Sequence, residues 1–569
     1  MLKRELEDRV SFILAWGALA VTIVLTDRIS TDPVNVGKMV ILSVVGFSVF
    51  PVLLLQWREL FTNGKLIVIA SSSFIFLGLM SIFTSKNTFE RGLYGAFSRN
   101  TGLITYASLV FIFLAATLIS RVESFQKVIK ALFLAGVINV IYSLIVASGN
   151  DFITWDNPYK TILGTFGNPN FISAFMGIFF TLLAVQIANQ HLSTKVRLSL
   201  FGLLPLVALT LYLSKSLQGV LVAIFGSVLA IYFYIRSNER LLRASRIYLS
   251  AVIGVGIFAL AGIFNKGPLS SFLYSYTIDL RGEYWKAGIN MGLDNPIFGV
   301  GMDSYGTNYR AYRELSATVV PGLDVGTDTA HNVYIDIFAG TGFPGLITYL
   351  VMNGFVLLGA VRYLKNYKTF DARFLTLFLC WAAYQLQSIV SINQIGLAVW
   401  GWLLGGLIIA YTKSHSNGSL IEQKNQSKQQ PKRNLSKDQE KQLLDASSSM
   451  KILGGALIGL LIALPPFVTD AKLRNFFSGK SGQIQSVVSL AQSWPVDNIR
   501  LNKIITSLAR NNQNQEAREL AAFAALEFPN DYVSWWALYQ LTRDGTPEKE
   551  FIRAKLHEID PFNPAYFNR

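Results

Sequence analysis

Apolar runs of about 18–20 residues recur along most of this chain, each long enough to cross roughly 30 Å of hydrocarbon. We place them at 11–26, 38–56, 66–83, 103–120, 131–148, 171–189, 198–214, 218–235, 247–264, 344–361, 373–390, 397–412 and 452–469. Inside a bilayer the backbone must satisfy its hydrogen bonds within each segment, so runs of this kind are helices. Charged residues make up only 15% of the chain, against about 25% in a soluble domain. The expectation is an all-α, polytopic helical membrane protein with about 12–13 transmembrane helices, a large external loop at 265–343 and a small C-terminal helical-repeat domain.

The net charge of +15 does not point to nucleic acid, because the basic residues concentrate in short loops between spans. Their bias toward one set of loops puts the N-terminus inside and the 265–343 loop outside. The single cysteine, Cys380, lies in a predicted span and leaves no intramolecular disulfide or zinc cluster to build. The charged start Met1–Arg9, with no small-residue cleavage pattern after the first span, argues against a cleavable leader. We divide the chain into a membrane domain at 1–412, a disordered cytoplasmic linker at 413–450, a last span at 451–470 and a soluble helical tail at 475–569. The linker is rich in Lys, Gln, Ser and Asn and too poor in apolar residues to fold alone. In the tail, Pro495, Pro529 and Pro564 recur at the 34-residue period of tetratricopeptide repeats; an unrelated helical hairpin is the alternative.

Four outside segments carry basic residues against that bias, and anion binding is one reason to keep them there. They hold Arg99, Lys160, Lys215, and the group Arg281, Arg310 and Arg313. Arg99, Lys160 and Lys215 taken singly read first as side chains snorkelling from helix ends. Arg281 opens an amphipathic helix that ends at Asn295-Pro296, and it is either a bidentate partner for a diphosphate or half of a surface pair with Glu283. His331, one of four histidines, precedes Asn332 and an expected short interfacial helix over Val333–Phe338. An imidazole there is either the proton acceptor of a transfer reaction or an interfacial anchor like Tyr334. Glu283, Asp303 and Asp336 are its possible carboxylate partners. No nucleotide-binding loop, dinucleotide fingerprint or metal-binding motif is present.

His331-Asn332, followed nine residues on by Gly342-x-x-Gly345, resembles the signature of the O-antigen ligase/polymerase superfamily of bacterial envelope glycosyltransferases. Arg281…Trp285…Asn295-Pro296-x-x-Gly299-x-Gly301, Arg99-Asn-Thr-Gly102 and Gly167-Asn168-Pro169-Asn170 resemble it as well, so the likeness runs over about 90–410. One departure lies at Ser216-Leu-Gln-Gly, where relatives often carry Ser-Arg and only Lys215 is close.

The resemblance implies an integral membrane glycosyltransferase of the cytoplasmic (inner) membrane of a bacterium. Such an enzyme moves a glycan from a polyprenyl diphosphate carrier to an acceptor hydroxyl on lipid A–core, a glycan chain or a protein, at the outer face. It implies His331 as the base that activates the acceptor and Arg281 as the diphosphate holder. Arg99, Lys160, Lys215 and Arg310 are further candidates for the diphosphate, and Asn332, Gly342, Gly345, Asn168 and Asn170 for the structural motif. No cofactor and no metal is expected. The partners expected are the lipid-linked donor, the acceptor, the bilayer and a protein bound through the repeat tail, with no nucleic acid among them. A lipid-linked glycan flippase would show broken midplane helices and internal repeats; a non-enzymatic assembly scaffold would leave the outside Arg/His group unexplained.

Overall fold

The computed structural model describes residues 4–155, 157–416, 435–478 and 484–566, and among them all regular structure is helical. The membrane domain opens with α1 (Arg4–Ile23), α2 (Asn35–Leu55), α3 (Trp57–Thr84), the short α4 (Phe89–Tyr94), α5 (Leu103–Ala116) and α6 (Val122–Ala147). It continues with α7 (Pro169–Ala188), α8 (Thr194–Leu213), α9 (Leu217–Arg236) and α10 (Leu242–Ile263). The large loop contributes α11 (Ser270–Leu273), α12 (Tyr276–Asp294) and α13 (Tyr305–Tyr312). Then come α14 (Val333–Asn366), α15 (Ala372–Ser388), α16 (Ile395–Ser416) and α17 (Leu435–Phe477). The tail adds α18 (Ile484–Ala491), α19 (Asn498–Arg510), α20 (Asn514–Glu527), α21 (Tyr532–Leu541) and α22 (Pro547–Ile559).

Among the described residues ten helices are long and apolar enough to cross a membrane. Three further predicted spans coincide with α1, α5 and α15. Of these, α1 carries charge in its first two turns, and α5 and α15 run only 14 and 17 residues. The chain is a polytopic helical membrane protein. The charges of α1 have a structural use. Glu7 is fully buried and accepts hydrogen bonds from the backbone of Ser120 (3.0 Å) and Arg121 (2.7 Å) and from the hydroxyl of Ser124 (3.0 Å). A carboxylate bound just ahead of α6, at its N-terminal end, is favoured by the helix dipole. At the opposite end of α1, buried Lys38 of α2 donates to the carbonyls of Val21 (3.0 Å), Thr22 (2.6 Å) and Val24 (3.1 Å), closing the C-terminus that α1 would otherwise leave open.

One expectation is corrected. Lys413–Ser416 continue α16, and Leu435–Met450 begin α17, so the linker contracts from both sides. The second stretch is rich in Lys, Gln, Glu and Leu, which favour helix; residues 417–434 lie outside the described residues. Val333–Phe338 is helical as expected and belongs to the first, short part of α14, which breaks at Gly342 (φ +67°) before the long apolar part; Val333, Ile337 and Phe338 are buried.

In the tail, Asp497 and Asp531 stand 34 positions apart and each caps a helix, accepting from the backbone of Arg500 and Ser534. Its own apolar core gathers Leu501, Ile504, Leu520, Ala524, Trp535 and Leu556. The tail is not a free appendage. Asp560 sits fully buried between two arginines of the large loop, at 2.9 Å from Arg310 and 2.7 Å from Arg313. Arg91, next to α5 on the same face, donates to Asn498 (2.7 Å).

Candidate active site

A cavity of about 670 Å³ opens on the face that carries the large loop. Its walls come from segments that meet only in the fold: 27–35, 98–99, Thr154 and Trp155, Tyr159, 163–171, 326–331, Ile392 and Arg474. His331 and Arg99 both line it, as do Tyr159 and Asn168.

The local backbone around these two side chains is unusual. His331 has φ +53°, and Ser98, Asn100 and Asp303 have φ between +51° and +63°. Non-glycine residues in the left-handed region carry strain, which functional sites tend to hold. For His331 the conformation is fixed from both sides. Its N–H bonds the Thr329 hydroxyl (2.7 Å), and Asn332 caps α14 by accepting from Tyr334 and Ile335. The imidazole then stacks on Tyr284 of α12, 5.8 Å between centroids. None of the three carboxylates considered for it makes that bond. Glu283 pairs with Lys286 (2.8 Å), Asp303 with Arg99 (3.0 Å), and Asp336 accepts from the Ala330 backbone (2.8 Å).

Like Tyr334, His331 is half-buried. Burial, then the nearby charges of Arg281 and Arg99, push its pKa down to about 4. The ring is therefore neutral at physiological pH, with a lone pair free to take a proton. Arg281 is largely sheltered and makes no hydrogen bond or ion pair with any described residue; burial holds its pKa below the usual guanidinium range. The surface pair of Arg281 with Glu283 does not form, because Lys286 takes that carboxylate. Arg99 is half satisfied. It pairs with Asp303 and donates to the Asp328 carbonyl, while its buried Nε has no partner.

The glycine motifs find their reason in one contact. Gly342 adopts φ +67°, ψ −170°, open in practice only to glycine, and a Cβ there would lie 2.5 Å from the Pro296 carbonyl oxygen. Gly299, at φ +67°, faces the backbone of Ala339 and Gly340 just as closely. Two backbone bonds close the clasp: Phe343 N–H to Pro296 and Val300 N–H to Ala339, both 2.8 Å. Gly345 makes room for the Thr341 side chain. The two sequence motifs are thus each other's packing surface, and together they set α12, which carries Arg281 and Tyr284, against the helix that follows His331. Asn168 caps α7 and meets the Tyr159 hydroxyl (3.1 Å); Asn170 accepts from Ser216 (2.7 Å), tying α7 to the start of α9.

Three expected diphosphate contacts are not brought together with His331. Lys160 and Lys215 are exposed on their turns and do not line the cavity. Arg310 is corrected: it turns to the tail, where it pairs with Asp560 and lies 3.9 Å from the Tyr532 ring. Arg474, at the end of α17, takes a place on the wall that sequence reasoning missed. The signal was available, since on the expected N-in topology it is another basic residue against the positive-inside bias, just past the last apolar run.

The fold and the site define a many-helix membrane protein with a neutral histidine and guanidinium groups at one mouth. Residues 201–350 match the family model described as O-antigen ligase. That segment contains Arg281, Tyr284, His331 and both glycine motifs; Arg99 and Arg474 lie outside it. No curated protein matches the chain.

Proposed function

We propose that this protein is a lipid-linked glycan transferase of the outer face of a bacterial cytoplasmic membrane, with its N-terminus inside and the large loop and tail outside. The donor is a polyprenyl diphosphate glycan; the acceptor is a hydroxyl of lipid A–core, a glycan chain or a protein. One observation carries the reading: a neutral, strained imidazole shares a cavity with half-paired Arg99, with unpaired Arg281 near enough to depress its pKa.

In this reading Arg281 and Arg99 hold the diphosphate, with Arg474 facing it across the cavity. A fork of N–H donors matches phosphate oxygens bidentately. His331 takes the proton of the acceptor hydroxyl as its oxygen bonds to the anomeric carbon and the carbon–phosphate-oxygen bond breaks. The diphosphate leaves with the electron pair, and the guanidinium groups stabilise its growing charge. Attack from the opposite side inverts the anomeric centre. The bound anion also raises the imidazole's proton affinity, so the base strengthens once the donor is in place. Arg310 has no part here. The tail is proposed as a tetratricopeptide-type domain, and a protein partner for it remains part of the proposal.

Deleting the chain in its host tests the function. Loss of long surface glycans supports polymerisation, and accumulation of unattached polyprenyl-linked polymer supports ligation. Unchanged surface glycan and unchanged lipid-linked pools overturn the reading.

A further inference from the structure

A second cavity, of about 880 Å³, lies between the large loop and the tail, within the roughly 300–1,000 Å³ typical of ligand sites. It shares the loop segment 326–328 with the cavity of His331, so one thin wall separates them. One side is a stripe of α19: Asn498, Asn502, Thr506 and Arg510, four residues apart and so near one face of the helix. The opposite side carries two tyrosines, Tyr309 of α13 and Tyr532 of α21.

The chemistry of the stripe is specific in kind. Asn498 and Asn502 are held in orientation by Asp531 (2.8 and 3.0 Å). Arg510 is exposed and pairs with no described residue. Tyr309 is fully buried, yet its hydroxyl has no hydrogen-bond partner. Burial keeps that hydroxyl protonated, its pKa pushed up to about 12, so it is an unused donor on the cavity wall. Tyr309 also packs edge-on against Tyr284, which stacks on His331, linking the second cavity to the first through two rings. The Tyr532 ring is already covered by Arg310 and Trp536, so the groove recognises by its polar groups: oriented amides, a buried hydroxyl without a partner and a guanidinium suit a ligand rich in hydroxyl groups.

We propose that the groove between loop and tail binds an oligosaccharide strand and leads its end to the cavity of His331. The occupant is the glycan of either the donor or the acceptor. The inference rests on the transferase reading, which supplies a reason for a glycan here.

The test uses the full chain in lipid nanodiscs. The probe is the host's own surface glycan, released from its lipid and fractionated by length, and binding is measured by calorimetry. Thr506→Trp fills the groove from an exposed position, and Arg510→Glu reverses its free charge. Each should weaken binding about tenfold or more with unchanged thermal unfolding, while His331→Ala binds as wild type. In transfer assays the KM that rises in Thr506→Trp identifies the source, donor or acceptor. Wild-type binding in both groove variants, or no binding of the glycan by the unaltered chain, overturns the proposal. Glycan that binds in the groove without ever being transferred would overturn the transferase reading and leave the site standing.

Discussion

The large loop holds two sets of arginines with opposite surroundings. Arg310 and Arg313 are buried, and together with Asp560 of the tail they form a closed group. Arg281, on the same loop, has no such partner, and Arg99 has only one carboxylate and an unbonded Nε. Breaking a buried pair is costly because the surviving charge is stranded, so the first set acts as architecture. The second set can receive an anion without first breaking anything. Presence of an arginine on the loop face says little; what its charge already meets separates the two.

The comparison breaks if the two sets respond alike to substitution. His331→Ala and Arg281→Ala should each cost about 10²–10⁴-fold in transfer, measured with lipid-linked donor, yet shift thermal stability by no more than about 0.5 kcal/mol. Asp560→Ala should do the reverse. It strands two buried guanidinium groups and should cost about 3–5 kcal/mol of tail docking, read as faster proteolysis between 478 and 569.

The pH profile sharpens the same contrast. Since the imidazole of His331 is depressed to about 4 in the free protein, kcat/KM should stay level as pH falls from 7 to about 5 and drop only through about 4. A fall centred near the ordinary histidine value of about 6.5 would mean that the ring is solvated and its cationic neighbours distant. The smallest effects belong to the exposed cations: Lys160→Ala and Lys215→Ala should each change transfer by less than about twofold, whereas Arg474→Ala, on the cavity wall, should raise the donor KM by more.

The sequence was legible where one-dimensional spacing carries the physics. Every predicted span falls on a helix, because a run of apolar residues long enough to cross lipid has few other options. His331 and Arg281 stood out through the resemblance of their motifs to a known family, since their own chemistry fits an interfacial anchor or a surface pair as well. Pairing across the chain was not legible. Nothing near Arg310 announces a carboxylate 250 positions away, and the bias against outside cations therefore flagged Arg310 and Arg281 alike. Arg474 was hidden by segmentation: it fell between the last span, closed at 470, and the tail, opened at 475, although the helix continues to Phe477. Val333–Phe338 was legible as a short helix because the glycine at 342 marks where it breaks.

The helix α17 has a consequence for how the protein can be divided. It is 43 residues long, roughly 65 Å of continuous rod. Gly455 and Gly459 let it lie directly against the backbone of α2 at Phe47 and Ser43. Beyond them, Asp470 receives the hydroxyl of Thr31 and the N–H of Asp32 (2.9 Å). Its hold on the preceding bundle is therefore non-covalent along its length and polar at its tip. A gene split between the codons for 417 and 434 would yield two polypeptides whose mating surfaces are already complete, and the wall of the His331 cavity would be rebuilt by assembly rather than by chain continuity.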